Sequence, residues 1–323
     1  MTLCRFLVIL GLTVLPASAQ LQPKQAPRIG YLTTRSVEFE ERWLAVFRQG
    51  LKELGYVEGE NIIIEERYAA GQVEKLPGLA TDLVRLGVDV LVAASSTSAH
   101  AAKKATSTMP IVMVSADPVA HGLVASLARP GGNLTGLSDF HPGLVTKRLE
   151  LLKEVVPSVT RVAVLWNPAN LSNARELKDL QTAAPALGLT LLSLEVGRSE
   201  DIDRTFTTIE KERPGGLLLL GDPVISPPMR RIAAFAVKRR IPASYTVREW
   251  TEAGGLMSYG TSFAELYRRA ATFVDKILKG ARPTDLPIEQ PTRFELVINL
   301  KTARALGLTI PRLVLTRADD VVQ

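Results

Sequence analysis

Residues 28–56, RIGYLTTRSVEFEERWLAVFRQGLKELGY, decide the fold. The stretch opens with a short strand-like run, Arg28 to Leu32. It continues into Phe39 to Leu54, where Trp43, Leu44, Phe47, Leu51 and Leu54 recur at helical spacing and Gly55 stands ready as a C-terminal cap. A strand, an amphipathic helix and a glycine stop make one βα unit. The same order returns later in the chain. A strand at Arg161 to Trp166 is followed by a helix over Asn173 to Leu187, a closing Gly188 and a strand at Thr190 to Leu194. This echo predicts two lobes of similar topology.

Working outward, further strands are expected at Asn61 to Tyr68, Val88 to Ala93, Ile111 to Ser115, Gly216 to Leu220, Gly255 to Tyr259 and Phe294 to Asn299. Several are apolar throughout, as strands covered by helices on both faces are. The expected class is α/β with parallel sheets in two Rossmann-like lobes. With 323 residues the chain exceeds the roughly 250 to 300 at which single cores stop growing. Turn formers at Arg129-Pro130-Gly131-Gly132-Asn133 mark one passage between lobes. A second passage is expected near Ile241 to Tyr245. A third is expected in Ala281 to Pro291, where Pro283, Pro287 and Pro291 interrupt helical periodicity. The resulting division puts residues 28–138 plus about 246–282 in lobe 1, and about 139–245 plus 283–311 in lobe 2.

The amino end reads as a secretory signal peptide over residues 1–19. Arg5 precedes an apolar run from Phe6 to Leu15, and Ala17 and Ala19 suit cleavage after Ala19. The run is too short to span a ~30 Å hydrocarbon core as a helix. Cys4, the single cysteine, lies before this run and so cannot carry a lipid at the cleavage site. The expected location is the periplasm, without a lipid anchor, and disulfides and thiolate chemistry are excluded from the mature chain. The formal charge of +6 falls to +5 with the loss of Arg5. Its basic pairs, such as Lys103-Lys104 and Arg268-Arg269, are dispersed among acids and outline no nucleic-acid face.

The chain has no G-x-S-x-G elbow, no G-x-x-x-x-G-K-[ST] loop, no H-E-x-x-H and no G-x-G-x-x-G after a strand. His100, His121 and His141 are about twenty residues apart and read as surface or loop residues. The expectation is therefore a binding protein without catalytic residues, cofactor or metal. Open parallel sheets bind ligands at the carboxyl ends of their strands. There the chain places Thr33, Thr34, Arg35 and Ser36 after the first strand, and Ser95, Ser96, Thr97 and Ser98 after the third, before a helix over Ala99 to Ala105. Hydroxyls at a helix start either cap the helix or, with the free N–H groups, cradle an anion. Asp117-Pro118, Asn167-Pro168 and Asp222-Pro223 recur at strand ends in both halves, as turn starters or as parts of a shared cleft. Tyr31, Trp166, Tyr245 and Tyr259 are rings placed to cover a ligand or to fill a core.

Arg28-Ile-Gly-Tyr-Leu, the run from Gly50 to Asn61, Ser115-Ala-Asp-Pro, Pro130-Gly-Gly-Asn-Leu-Thr-Gly, Asn167-Pro and Gly221-Asp-Pro occur in order over roughly Arg28 to Leu308. Together they resemble the ABC transporter substrate-binding family that includes the tryptophan-binding TrpX-like proteins. The resemblance implies a type I periplasmic binding fold with three crossovers, and a small polar ligand, an amino acid and in some relatives an aromatic one, held between the lobes. It also implies partners, the permease and ATPase subunits of an importer, and is compatible with a monomer. Matched position by position, it puts Ser95, Ser96 and Thr97 at the ligand carboxylate and Asp117 or Asp222 at an ammonium, with the aromatic rings around the ligand's body. The ligand-facing residues expected are thus Thr33, Thr34, Ser95, Ser96, Thr97, Asp117, Asn167, Asp222 and Tyr245. A receptor-coupled sensor of the same fold is not separated from a carrier by sequence, whereas an exported enzyme using Asp117 or Asp222 as a base is disfavoured because no nucleophile, metal set or cofactor loop is identifiable.

Overall fold

The computed structural model describes residues 26–139, 141 and 143–323. The expected signal peptide and Cys4 lie outside the described residues. Among the described residues, twelve strands fall into two sheets. The first holds β1 (Arg28–Thr33), β2 (Ile63–Tyr68), β3 (Val90–Ala93), β4 (Ile111–Ser115) and β5 (Leu134–Ser138), in the order β2-β1-β3-β4-β5 and parallel throughout. The second holds β6 (Arg161–Trp166), β7 (Thr190–Glu195), β8 (Gly216–Leu219), β9 (Ala243–Tyr245), β10 (Met257–Thr261), β11 (Phe294–Asn299) and β12 (Asp320–Val322). Its order is β12-β11-β10-β9-β8-β6-β7.

Period-two alternation sends successive side chains to opposite faces, so each sheet carries two apolar clusters. Ile29 and Tyr31 of β1 join Trp43, Phe47 and Phe273 on one face, whereas Leu32 joins Leu83 and Met113 on the other. In β6, Val162 and Val164 face one cluster, and Ala163 and Leu165 the other. The helix Val37–Glu53 ends at Gly55 (φ 91°), and the segment after Leu171–Ala183 ends at Gly188 (φ 65°), as the glycine stops require.

The chain crosses between the sheets three times, at places that differ from two of the expected ones. The turn at Arg129 to Asn133 leads into β5, a strand still in the first sheet, and the passage follows at Asp139. Residues 241–245 do not cross, because Ala243–Tyr245 is β9, paired on both sides inside the second sheet. The second passage falls after β10, at Thr261–Ser262, and the helix Phe263–Leu278 then packs on Val37–Glu53 in the first half. The third lies after Glu289. Before it, Ile288 N–H donates to the Leu127 carbonyl and Glu289 N–H to the Gly136 carbonyl, so residues 286–289 still border the first sheet. The halves are therefore 28–138 with 263–289, and 144–261 with 294–322.

The second sheet is not wholly parallel, since β11 runs antiparallel to β10, Met257 opposite Ile298. The cause is topological: β10 leaves the second half and β11 enters it through the same boundary, so they must run in opposite directions. β5, β9 and β12 are strands that the apolar pattern did not reveal. In β5 the sequence is Leu-Thr-Gly-Leu-Ser, and Gly136 (φ 134°) lies so close to β4 that an added Cβ would stand 2.2 Å from the Met113 carbonyl oxygen. Gly136→Ala is accordingly expected to destabilise the protein by more than ~3 kcal/mol, from steric overlap and a backbone angle unsuited to a side chain. Urea unfolding checks this.

Candidate functional site

The carboxyl ends of both sets of parallel strands meet where the halves face each other. There Asp117, after β4, accepts from the Arg175 guanidinium of the opposite half at 2.8 Å, and Nε2 of His121 lies 3.1 Å from the Ser172 hydroxyl. Arg42 of the first half reaches Glu252 at 3.0 Å. Burial, and next the neighbouring His100, hold the His121 ring below the usual histidine range, so it contacts Ser172 as a neutral imidazole.

The connectors lie side by side. Ser138 N–H donates to the Glu289 carbonyl at 2.9 Å, and the Thr261 hydroxyl donates to the Asp139 carbonyl at 3.3 Å, which ties all three passages together. Such short, adjacent strands of backbone are the form a hinge takes.

On the first half, Glu40 is fully buried on the apolar stripe of its helix. Its carboxylate accepts from the Tyr31 hydroxyl at 2.6 Å, Thr33 Oγ1 at 2.9 Å, Arg35 Nη1 at 3.0 Å and the Tyr267 hydroxyl at 3.2 Å. This network holds Arg35 at the cleft with its guanidinium only part-buried. On the second half, the buried Arg148 donates to the Leu219 carbonyl and to Glu176, both at 3.2 Å. Burial raises the Glu176 pKa, with Arg148 opposing it. Asp139, on the first passage, is close enough to feel the charge of Arg35 and to act on Glu176. Burial pushes its carboxyl up to about 6 against the pull of Arg35.

The expected site residues divide by what their polar atoms already do. Thr33 is committed to Glu40, and Thr34 beside it is buried. Ser95 caps its helix, its Oγ accepting from Ser98 N–H at 3.0 Å. Ser96 Oγ pairs with Ser115 Oγ at 2.8 Å, while Thr97 is exposed. Asn167 and Asp222 are joined to each other at 3.1 Å. Asp222 also accepts from Asn170 Nδ2 at 2.8 Å and Val224 N–H at 2.7 Å, so its oxygens are occupied by its own half. Both residues brace the turns after β6 and β8, as Asx-Pro turn starters do. The expectation of a ligand-facing Tyr245 does not fit the structure: the ring is fully buried in the core of the second half, stacked on Trp250 at 4.8 Å. Tyr31 is likewise core, whereas Trp166 and Tyr259 are only partly buried.

Sequence reading missed Glu40, Asp139, Arg148, Ser172, Arg175 and Glu176. Glu40 left a signal, an acid at the buried spacing 40, 44, 47, 51. The others left none, because what surrounds them comes from distant segments.

A family model described as ABC transporter substrate binding protein matches residues 42–322. The chain belongs to this family. A tyrosine-binding protein of Clostridioides difficile (strain R20291) is 27% identical over 263 residues, which cover 81% of this chain and 75% of that protein. An ABC domain in complex with L-Trp from Streptococcus pneumonia is 27% identical and superposes with a TM-score of 0.85, covering 92% of this chain and 100% of that one. A ligand-free, open substrate binding protein with adhesive properties from Clostridium difficile is 25% identical, with a TM-score of 0.71 over 92% and 99% of the two chains. At equal coverage of this substrate-binding protein, the ligand complex fits better than the open form. The contacts Asp117–Arg175 and His121–Ser172 agree with halves drawn together. The fold is the type I periplasmic binding fold.

The Glu40 network yields a test of the first half. Glu40→Gln removes the charge that four donors address and leaves the Arg35 guanidinium unpaired, at an expected cost of about 3 to 5 kcal/mol in chemical denaturation.

Proposed function

We propose that this protein is an exported, monomeric carrier that closes on an aromatic α-amino acid and delivers it to the permease and ATPase subunits of an importer, with no covalent chemistry. The observation that carries the reading is the family match over residues 42–322, in a chain whose relatives include a tyrosine-binding protein and an L-Trp complex. The ligand carboxylate sits at the start of the helix Ser96–Ala105, which offers first-turn N–H groups and the side chains of Ser96 and Thr97. Thr34 and Asp117 border it from the first half. Asn167 and Asp222 act by holding their loops, and the partly buried rings of Trp166 and Tyr259 are the aromatic surface available to the ligand's body.

Closure supplies the mechanism. Ligand that touches both halves favours the closed arrangement, and contacts such as Asp117–Arg175 form only there, so the bound population shifts to the form an importer recognises.

Thermal unfolding of the purified protein against amino acids, sugars and aromatic acids tests the reading. L-Tyrosine or L-tryptophan at one hundred times its dissociation constant should add ~2.7 kcal/mol of stability and be recovered unchanged. Stabilisation by a sugar alone, or conversion of the compound, would refute it. The closing pair has its own consequence. The Arg175 side chain is 59% exposed, so its link to Asp117 is a weak one. Arg175→Ala should speed ligand release by no more than about fivefold in stopped-flow fluorescence, with little change in the ligand-free melting temperature. An unchanged release rate would mean that this pair plays no part in closure.

A further inference from the structure

The carboxylates around the cleft differ in what their oxygens have left to bind. Glu40 takes four donors, Asp117 takes Arg175 and the Ala120 N–H, and Asp222 takes two side-chain amides and a backbone N–H. Asp139 is unlike them. Its backbone is engaged, N–H to the Ser115 carbonyl and C=O from the Thr261 hydroxyl, but its Oδ1 is enclosed and has no hydrogen-bond partner. Among the described residues one other carboxylate oxygen is in that state, Oε2 of Glu249, and the second oxygen of that group faces Arg42 at 3.7 Å.

An enclosed carboxylate oxygen without a donor is costly, and a native fold that keeps one calls for an explanation such as a group not yet bound. The surroundings say what that group would be. The charge of Arg35 reaches Asp139 from the first half, and that of Glu176 from the second. The one guanidinium whose charge reaches Asp139 is that of Arg35. Arg35 already serves Glu40 and Arg148 serves Glu176, although Arg148 Nε is also enclosed without a partner. A donor that completes Oδ1 without taking either guanidinium from its carboxylate is a charged group from outside the chain.

We infer that Asp139 is the residue that receives the protonated amine of the bound ligand, so the hinge passage itself reads the ligand's ammonium group. This rests on the amino-acid reading above, and it moves the ammonium partner from Asp117 and Asp222, whose oxygens are taken, to the connector between the halves. A ligand held there ties the moving segment to its own charge. The free carboxyl, raised to about 6 by burial, must be ionised to bind an ammonium. Affinity is therefore full above that value and falls as the pH drops through it, with Arg35 opposing the rise and Glu176 adding to it.

The test compares the full protein with Asp139→Asn by calorimetry, using L-tyrosine and L-tryptophan alongside 3-(4-hydroxyphenyl)propanoate and indole-3-propanoate, which lack the amine. The variant should bind the amino acids about 10- to 100-fold more weakly and the amine-free compounds no worse than the parent. The parent's affinity for the amino acids should fall between pH 7 and pH 5, while that of the variant stays level. The ligand-free variant should melt no lower than the parent, because it loses an unpartnered charge, and this separates binding from folding. Equal binding of the amino acids by parent and variant would overturn the assignment, as would a parent that binds the amine-free compounds equally well. If the parent prefers another ammonium-bearing compound, the aromatic reading falls and the Asp139 assignment stands or falls by the same variant on that compound. A parent that binds no ammonium-bearing compound overturns it.

Discussion

One face of the first sheet cannot be covered by the residues that build that sheet. Ile29, Tyr31, Val90, Val92, Val112 and Val114 present an apolar surface that the helix Val37–Glu53 covers only in part. The rest is closed by Leu266, Tyr267, Ala270, Phe273 and Val274 of the helix Phe263–Leu278, more than 120 residues beyond β5. Burying such a surface is worth ~25 cal/mol for each Å² removed from water, the dominant favourable term available. The chain must therefore return to the first half after building most of the second, and then leave again. The three passages, the discontinuous halves and the reversed β11 follow from that return.

The same return assembles the cleft. Tyr267 arrives with the helix and places its hydroxyl on Glu40, which is how a residue near the carboxyl end comes to position Arg35 near the amino end. Because the passages lie together, Asp139 on the first is held by Thr261 on the second and is neighbour to Glu289 on the third, through Ser138. Any relative motion of the halves is taken up there. A charged group on this connector senses the opening and closing of the cleft more directly than one on either lobe.

The polar residues at the strand ends show how a motif and its task can separate. Asn167-Pro168 and Asp222-Pro223 lie at the mouth of the cleft, yet their side chains join to each other and to nearby backbone, so they set loop shape. Ser95 spends its hydroxyl on a helix cap. A small polar residue next to proline is needed to start a turn whether or not a ligand follows, and sequence alone does not separate the two uses.

The sequence by itself determined the α/β class, the two-lobed echo, the glycine-closed helices and the placement of the polar loops at the strand carboxyl ends. These follow from local periodicity and backbone preference, which neighbouring residues settle among themselves. The tertiary structure decided the rest. It assigned β9 and β10 to the second sheet, turned β11 antiparallel, buried Tyr245 and put Asp139 within reach of the charges of Arg35 and Glu176. Each of these depends on which distant surfaces meet, and short strands such as β5 and β9 gain their stability from flanking partners rather than from their own composition. Glu40 stands between the two cases: its position on an apolar stripe could be read from the sequence, but the four hydroxyl and guanidinium groups that justify its burial are gathered only by the fold.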